Sequence, residues 1–417
     1  MTTIFLSHLR RPVSGILIFR KTRQPRLFIK GVLVLALLLA CGPHAFSQKA
    51  PPAGVNNTAA IPAAEFSRMV QEFSEGGGYF HSDNFTSNET SYLHIVGKLK
   101  ELGVSGGAYI GVGPEQNFTY IAKIRPRIAF IVDIRRQAII QHLLYKTIFH
   151  LAENRAQFLS LLFSKAPPKS GVAEGSLEDI LDRISAAPTT EDAYNANLAT
   201  IRKTIEENFH FPLSQEDLKS LNYIYTAFWR ANLRIGFSFG NGGYGNSWGF
   251  PSLADLILAT DLNGNRGNFL AQEDDYQFVR KLQEQNRVIP VVGDFAGTHA
   301  LSSIAGYLRK NNYTVSAFYT SNVEEFLYQN DVFGKYAENI RQLPVSDTSV
   351  FIRAARSGGY RHPARQPGDR MTPLLEKIAV FLDDYKNGLI PDYWSLVTTH
   401  YIAASEPRRE APPLSVP

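Results

Sequence analysis

Two glycines and one acidic residue in this chain have the spacing of a ligand site. Gly111 and Gly113 close a short apolar run, and Asp133 ends the next apolar run about twenty residues later. A glycine turn lets the backbone approach a ligand, and an acid at that distance accepts hydrogen bonds from ribose hydroxyls. The spacing therefore predicts a site for a nucleoside-type ligand. The alternative is that the two glycines serve only a tight turn.

Other polar residues lie where they could meet the same ligand. Asp294 and Asn322 each follow an apolar, strand-like run, and ligands of open α/β sheets lie outside the strand ends. Glu89 shares a helical face with Tyr92. Glu89, Asp294 and Asn322 are the candidates for contacting an acceptor or for acting as a general base. The alternatives are a helix cap near residue 298 for Asp294 and a solvated cap beside a packed aromatic ring for Glu89.

A serine hydrolase is a weaker hypothesis. Ser238 stands in a Gly-x-Ser-x-Gly pattern, which is typical of a nucleophile elbow. An acid such as Asp347 and a histidine, His362 or His400, follow in the order of a hydrolase triad. The elbow requires a buried strand before the serine and a helix after it, whereas polar and glycine-rich residues flank Ser238.

The elements that must position these residues alternate between strands and helices. Strand-like apolar runs occur at 107–113, 128–133, 288–293, 313–319 and 350–355. Helical patterns separate them, and the stretch at about 165–285 is mostly helical and polar. The alternation predicts an α/β domain over 64–405, with a doubly wound, mainly parallel sheet and a large helical insertion at about 165–285.

Three more elements and a tail complete the predicted pattern. We expect one long helix over 136–163, a helix over 374–385 and a strand over 394–400. Residues 406–417 are expected to be a disordered tail.

The positive charge of the chain is concentrated at its N-terminus. The 417 residues have a formal net charge of +5, but residues 1–47 contain seven Lys or Arg and no acid. The remaining 36 basic residues are outnumbered by 38 acidic ones. Nucleic-acid binding depends on clustered positive charge, so no nucleic-acid partner is expected. The single cysteine excludes an internal disulfide, and no metal site is expected.

The basic N-terminal stretch precedes an uncharged run that is too short to cross a membrane. This arrangement predicts a secretory signal peptide over 1–47, followed by a flexible leader over 48–63. An Ala-Phe-Ser sequence at 45–47 suits an ordinary signal peptidase, whereas the sequence before Cys41 suits lipidation of that cysteine. The expected location is the periplasm, with membrane attachment only if Cys41 is lipidated.

The segment from Tyr109 to Pro114, with the Phe-Ile-Val-Asp sequence that ends at Asp133, resembles class I S-adenosylmethionine-dependent methyltransferases. The resemblance covers roughly residues 64–140 and 286–360. It implies a Rossmann-like fold in which Tyr109, Gly111 and Gly113 line the cofactor S-adenosylmethionine and Asp133 holds its ribose. Tyr109 stands where the family usually has an acid. A wider set of residues, from Gly78 to Glu89, is also similar to a group of bacterial proteins with a methyltransferase-like fold.

The resemblance implies methyl transfer from S-adenosylmethionine to a small acceptor, with Glu89, Asp294 and Asn322 as the catalytic candidates. The second hypothesis is an extracytoplasmic protein that binds a small polar ligand in the same crevice without catalysis. S-adenosylmethionine is made in the cytoplasm, whereas the leader predicts export, and this conflict favours the second hypothesis. In both cases the partner is a small molecule.

Overall fold

A computed structural model describes residues 59–166, 175–238, 249–356, 361–366 and 369–405. The predicted signal peptide, including Cys41, most of the predicted leader and the tail at 406–417 lie outside these ranges.

The described residues contain seven strands in one mixed sheet. The strands are β1 (Ala108–Gly111), β2 (Ile128–Asp133), β3 (Val288–Val292), β4 (Val315–Ser321), β5 (Val345–Ala355), β6 (Thr372–Lys377) and β7 (Ile402–Ala403). Their order in the sheet is β3-β2-β1-β4-β5-β6-β7. Strands β1 to β5 are parallel, whereas β6 is antiparallel to β5 and to β7. The predicted α/β class and mainly parallel sheet are confirmed.

Fifteen α-helices accompany the sheet within the described residues. They are α1 (Ala63–Glu72), α2 (Val96–Glu101), α3 (Gln116–Ile124), α4 (Arg136–Leu151), α5 (Arg155–Leu162), α6 (Leu177–Ala186), α7 (Glu191–Lys203), α8 (Gln215–Ala231), α9 (Leu253–Ile257), α10 (Glu273–Glu284), α11 (Ala300–Lys310), α12 (Val323–Gln329), α13 (Phe333–Arg341), α14 (Ile378–Lys386) and α15 (Tyr393–Thr398). In the same residues, no helix has the length and apolar character that crossing a membrane requires.

The central strands are buried along their whole length. Every residue of β1, β2 and β3 is buried, as expected for parallel strands that are covered on both faces. Their continuous apolar runs made them visible in the sequence. Chain order reverses at β1, which pairs with β2 on one side and with β4 on the other. Ligand sites of open α/β sheets lie at such a reversal, outside the carboxyl ends of the strands.

Of the two C-terminal elements predicted, the helix is confirmed only in its later part and the strand is wrong. The segment predicted as a helix over 374–385 begins as β6 and becomes α14 only at Ile378. Leu374 and Leu375 pair with both β5 and β7, so tertiary pairing outweighs their helical propensity. The strand predicted over 394–400 is mainly α15, which begins with a capping box between Asp392 and Ser395.

Two other predicted elements differ in the structure. The long helix over 136–163 is divided into α4 and α5, because Asn154 adopts an extended backbone and caps α5 by accepting from the backbone N–H of Gln157. The last residues of the predicted leader are held to the core. Ile61 donates its N–H to the carbonyl of Gln285, and Asn286 donates to the carbonyl of Ile61.

Candidate active site

A cavity of about 590 Å³ lies at the carboxyl ends of the parallel strands. The carboxyl ends of β1 to β5, or the residues just after them, contribute to its wall, in strand order, Gly113, Asp133, Asp294, Asn322 and Arg356. The loop before α2 contributes Glu89. A volume of this size is typical of sites for small molecules and cofactors. Five of the seven predicted site residues, namely Glu89, Gly113, Asp133, Asp294 and Asn322, therefore share one cavity.

The loop after β1 is rigidly held around Gly113. This glycine has a φ of +79°, which a residue with a side chain adopts only with strain, and no atom lies where its Cβ would be. The side-chain amide of Asn117 donates to the carbonyls of Val112, Gly113 and Pro114 at 2.8–3.0 Å. The open side of Gly113 therefore lets a ligand approach a backbone that is already in place.

His142 fixes the same loop from α4. Its Nε2 lies 2.8 Å from the carbonyl oxygen of Gly113. Burial lowers the pKa of His142 to about 4, so the ring is neutral near pH 7. Because a carbonyl oxygen can only accept a hydrogen bond, Nε2 carries the hydrogen, and the ring is the Nε2–H tautomer. The sequence offered no indication of this contact, since a single histidine inside a helix is usually packed rather than functional.

Tyr109 and Gly111 are not among the residues that line the cavity. A Cβ on Gly111 would lie 2.0 Å from Oδ1 of Asn117 and 2.7 Å from Cε1 of Tyr109. The hydroxyl of Tyr109 is buried and donates to Oδ1 of Asn117 at 2.9 Å. In this arrangement Gly111 makes room for the Tyr109–Asn117 pair, and that pair shapes the loop.

Asp133 lines the cavity but is bound to Arg135. Its Oδ1 accepts from the backbone N–H and the Nε of Arg135, both at 3.0 Å, and its Oδ2 accepts from Nη2 at 2.9 Å. The side chains of both residues are less than a tenth exposed. A carboxylate has about four acceptor positions, so about one remains for a ligand hydroxyl. Arg135 also donates to the carbonyls of Ser82 and Asp83 and so fixes that loop against β2.

Asp294 does not cap the next helix, which was one of the two alternatives for this residue. Its Oδ1 accepts from the N–H of Ala296 at 2.9 Å and closes a local turn, whereas α11 starts only at residue 300. Its backbone N–H donates to Glu75. The second oxygen of Asp294 makes no hydrogen bond with the described residues, and the side chain is half-buried at the cavity wall. Asn322, also half-buried, donates to Glu325 at 3.3 Å.

Glu89 is the most constrained acid in the cavity wall. Its Oε1 accepts from the hydroxyls of Tyr319 at 2.6 Å and Ser321 at 2.5 Å, and its Oε2 accepts from Gln116 at 2.9 Å. Glu89 is 3% exposed, and this burial raises its pKa, against which the three hydrogen bonds act. A buried carboxyl of raised pKa at a cavity wall is a typical proton acceptor. Ser321 has a φ of +54°, and such backbone strain is common at functional sites.

A second buried acid lies beside Glu89. Glu115 accepts from the backbone N–H of Ser87 at 3.2 Å, and Ser87 in turn accepts from the N–H of Glu89 at 3.2 Å. Burial raises the pKa of Glu115 to about 7, and the negative charge of Glu89 adds to the rise. Its Oε2 has no hydrogen-bond partner among the described residues. Two acids of raised pKa are thus joined through one serine.

The predicted pair of Glu89 and Tyr92 does not form one binding surface. The hydroxyl of Tyr92 donates to the carbonyl of Leu256 and accepts from Asn268, in the core. Residues 90–95 form turns rather than a helix, so one-turn spacing does not apply. The phenol that contacts Glu89 is that of Tyr319, two residues before the end of β4. The strand-end position of Tyr319 was the only sequence signal for it.

The histidines proposed for the hydrolase are engaged elsewhere. Nε2 of His362 lies 2.8 Å from the carbonyl of Val397, and its Nδ1 accepts from the N–H of Ala364. His400 pairs with Asp384, which raises the pKa of this exposed ring. Neither imidazole has the arrangement of a triad base. Within the described residues, moreover, no three His, Cys, Asp or Glu side chains are grouped as metal ligands.

The fold is that of an α/β protein with a cavity at the carboxyl ends of its parallel strands. Residues 84–387 match the family described as a domain of unknown function (DUF7790), and the chain belongs to that family. The match includes every residue of the cavity wall described above. A search of curated proteins gave no match to this chain.

Proposed function

We propose that the protein is an S-adenosylmethionine-dependent methyltransferase on a Rossmann-like fold, acting on a small acceptor. The observation that carries the proposal is the single cavity shared by Gly113, Asp133 and Asp294 at the ends of β1, β2 and β3. The strand order β3-β2-β1-β4-β5 supports it, because this order is that of doubly wound nucleotide-binding sheets.

The residues present fit the cofactor in three respects. Gly113 offers an open, preformed backbone for close approach, and Asp133 retains about one acceptor position for a ribose hydroxyl. Asp294 has an oxygen available for a second donor, such as an exocyclic amino group. When bound, S-adenosylmethionine supplies an electrophilic methyl group. The residues of the chain must then orient donor and acceptor in line and exclude water.

Glu89 is proposed to accept the proton that the acceptor loses. Its hydrogen bonds from Tyr319, Ser321 and Gln116 fix the carboxylate, and burial raises its pKa toward the working range of a general base. Asn322, which directly follows β4 and lines the same cavity, is proposed to bind the acceptor.

Ligand binding to the full chain tests the first step. Calorimetric titration with S-adenosylhomocysteine should give a measurable heat. At a free ligand concentration of 100 times the Kd, binding should stabilise the fold by about 2.7 kcal/mol. Asp294→Asn should weaken this binding. Asp347→Asn, which changes an exposed acid of β5 outside the cavity, is the matched control and should bind normally. The absence of both a binding heat and a Tm shift with millimolar S-adenosylhomocysteine would disprove the proposal.

A second candidate function is ligand binding without catalysis, and the Asp133–Arg135 ion pair favours it. The backbone N–H and the guanidinium of Arg135 together already occupy about three of the four acceptor positions where a ribose would bind. Native mass spectrometry of the freshly purified protein distinguishes the two functions. A retained small molecule that is not S-adenosylmethionine or its product, without methyl transfer in cell extract, would support the binding protein.

A further inference from the structure

Three arginines form one side of the cavity wall, away from Asp133. Arg356 directly follows β5, Arg370 precedes β6, and Arg365 lies between them in the chain. Strands in a sheet are about 4.8 Å apart, and β5 lies three positions from β2, so about 14 Å separate the two ends of the site. We call Arg356, Arg365 and Arg370 the arginine cluster.

No member of the arginine cluster forms an ion pair with the described residues. The carboxylates in the cavity wall, Glu89, Asp133 and Asp294, have the hydrogen-bond partners given above, none of which belongs to the cluster. The pKa of Arg370 is lowered, first by burial and then by the positive charge of Arg356. Arg356 and Arg370 thus bring like charges together, and Arg365 acts electrostatically on the buried carboxylate of Asp369 without forming an ion pair with it.

Two of the three guanidinium groups are held in place by neutral partners. Arg365 donates from Nε and Nη2 to the carbonyl of Asp369, at 3.0 and 2.7 Å. Arg370 donates to the carbonyl of Gly249, and its guanidinium lies 3.8 Å from the ring centroid of Phe250. These contacts position the groups while leaving the charge and most N–H donors available, since each guanidinium has five donors.

We propose that the arginine cluster binds a phosphate group of the acceptor. The inference rests on the proposed function in that it places the acceptor in the same cavity as the donor. A phosphate monoester carries a charge of about −2 and three acceptor oxygens, which matches several guanidinium groups better than a carboxylate does. With the donor at the β1–β3 end, the phosphate at the β5–β6 end would anchor the acceptor so that its reactive group lies beside Glu89.

Titration of the full chain at constant ionic strength, adjusted with KCl, tests the proposal. The probes are inorganic phosphate, glycerol 3-phosphate and acetate. Glycerol 3-phosphate should bind more tightly than inorganic phosphate if the group belongs to an organic ester, and acetate should bind at least tenfold more weakly than either. Arg356→Gln changes an exposed side chain, so the fold should be kept, and it should weaken phosphate binding at least tenfold. Arg370→Gln should have a similar effect.

Arg361→Gln is the matched control, because Arg361 is an exposed arginine of the same segment and does not line the cavity. Its phosphate affinity should equal that of the unmodified protein. Equal weakening by Arg361→Gln, equal binding of acetate, or no phosphate binding would each overturn the proposal. S-adenosylhomocysteine is titrated in parallel. If it binds and phosphate does not, only this inference fails, whereas phosphate binding without S-adenosylhomocysteine binding contradicts only the methyltransferase.

Discussion

The two ends of the cavity differ in whether their charged side chains form ion pairs. At the β2 end, Asp133 and Arg135 are both buried and satisfy each other through three hydrogen bonds. At the β5–β6 end, Arg356, Arg365 and Arg370 have no ion-pair partner among the described residues. A satisfied buried pair is needed by the folded protein itself, because removing one partner leaves a buried charge. Positive charge at a cavity wall without an ion-pair partner is better explained by a ligand that brings the opposite charge.

The largest expected effect on stability is at the β2 end of the cavity, where the charges are paired. Arg135→Ala leaves the carboxylate of Asp133 buried without its partner and releases the carbonyls of Ser82 and Asp83. We expect a loss of about 3–5 kcal/mol in the free energy of unfolding, measured by urea denaturation. Arg356→Ala is the matched control and should lose much less. Equal losses for the two variants would remove the distinction between the two ends.

A pH-dependent effect on stability is expected from Glu115, the buried acid that is linked to Glu89 through Ser87. Its pKa is about 7 in the folded chain, above its ordinary value of 4.5, so the folded state binds more protons between these values. The contribution of Glu115 to stability is therefore fully present below pH 4.5, and it is lost as the pH rises through 7. We therefore compare the free energy of unfolding of Glu115→Gln with that of the unmodified protein. The variant's advantage should be about 3 kcal/mol larger at pH 8 than at pH 4.5.

The free energy of unfolding is measured for both Glu115→Gln and the unmodified protein at each pH, and the difference is compared. This is needed because His142, Lys146 and Glu376 also titrate with shifted pKa values. A difference that does not change between pH 4.5 and 8 would show that Glu115 is not a buried acid of raised pKa.

The two glycines of the β1 loop should respond differently to the same substitution. In Gly111→Ala the new Cβ collides with Asn117, which three carbonyls hold in place, so we expect a loss of about 2 kcal/mol. Gly113→Ala meets open space, and only its positive φ costs about 1 kcal/mol. Thermal unfolding measures both. Ligand affinity should fall mainly in Gly113→Ala, and the reverse would place Gly111 at the ligand instead.

The smallest expected effect on stability is in the arginine cluster. Arg356→Gln removes an exposed charge that repels Arg370, so stability without ligand should change by no more than about 0.5 kcal/mol. The same variant should lose phosphate affinity. A loss of stability comparable to that of Arg135→Ala would mean that the cluster supports the fold rather than a ligand.

Much of the sheet was predictable because its strands are buried on both faces. The apolar runs that became β1, β2 and β3 are continuous, and such runs are visible without knowledge of the partner strands. The β5–β6 hairpin was not predicted, since Leu374 and Leu375 are good helix formers whose conformation depends on antiparallel pairing. The arginine cluster stands around this hairpin, so it went unnoticed together with it.

The candidate site was predictable only in part. The strand-end rule correctly brought Gly113, Asp133, Asp294 and Asn322 to one cavity. The rule gave no information about side-chain partners. The pairing of Asp133 with Arg135, two residues away, depends on how that arginine also reaches Ser82 and Asp83.

The sequence by itself determined the α/β class and the carboxyl-end location of the site, because both follow from local hydrophobic patterns and from the geometry shared by parallel sheets. Only the tertiary structure decided which charges are compensated. Glu89 takes its hydrogen bonds from residues 27 to 232 positions away, and no local pattern encodes such contacts. Burial then sets the pKa of each group, since the cost of a charge depends on all the atoms that surround it.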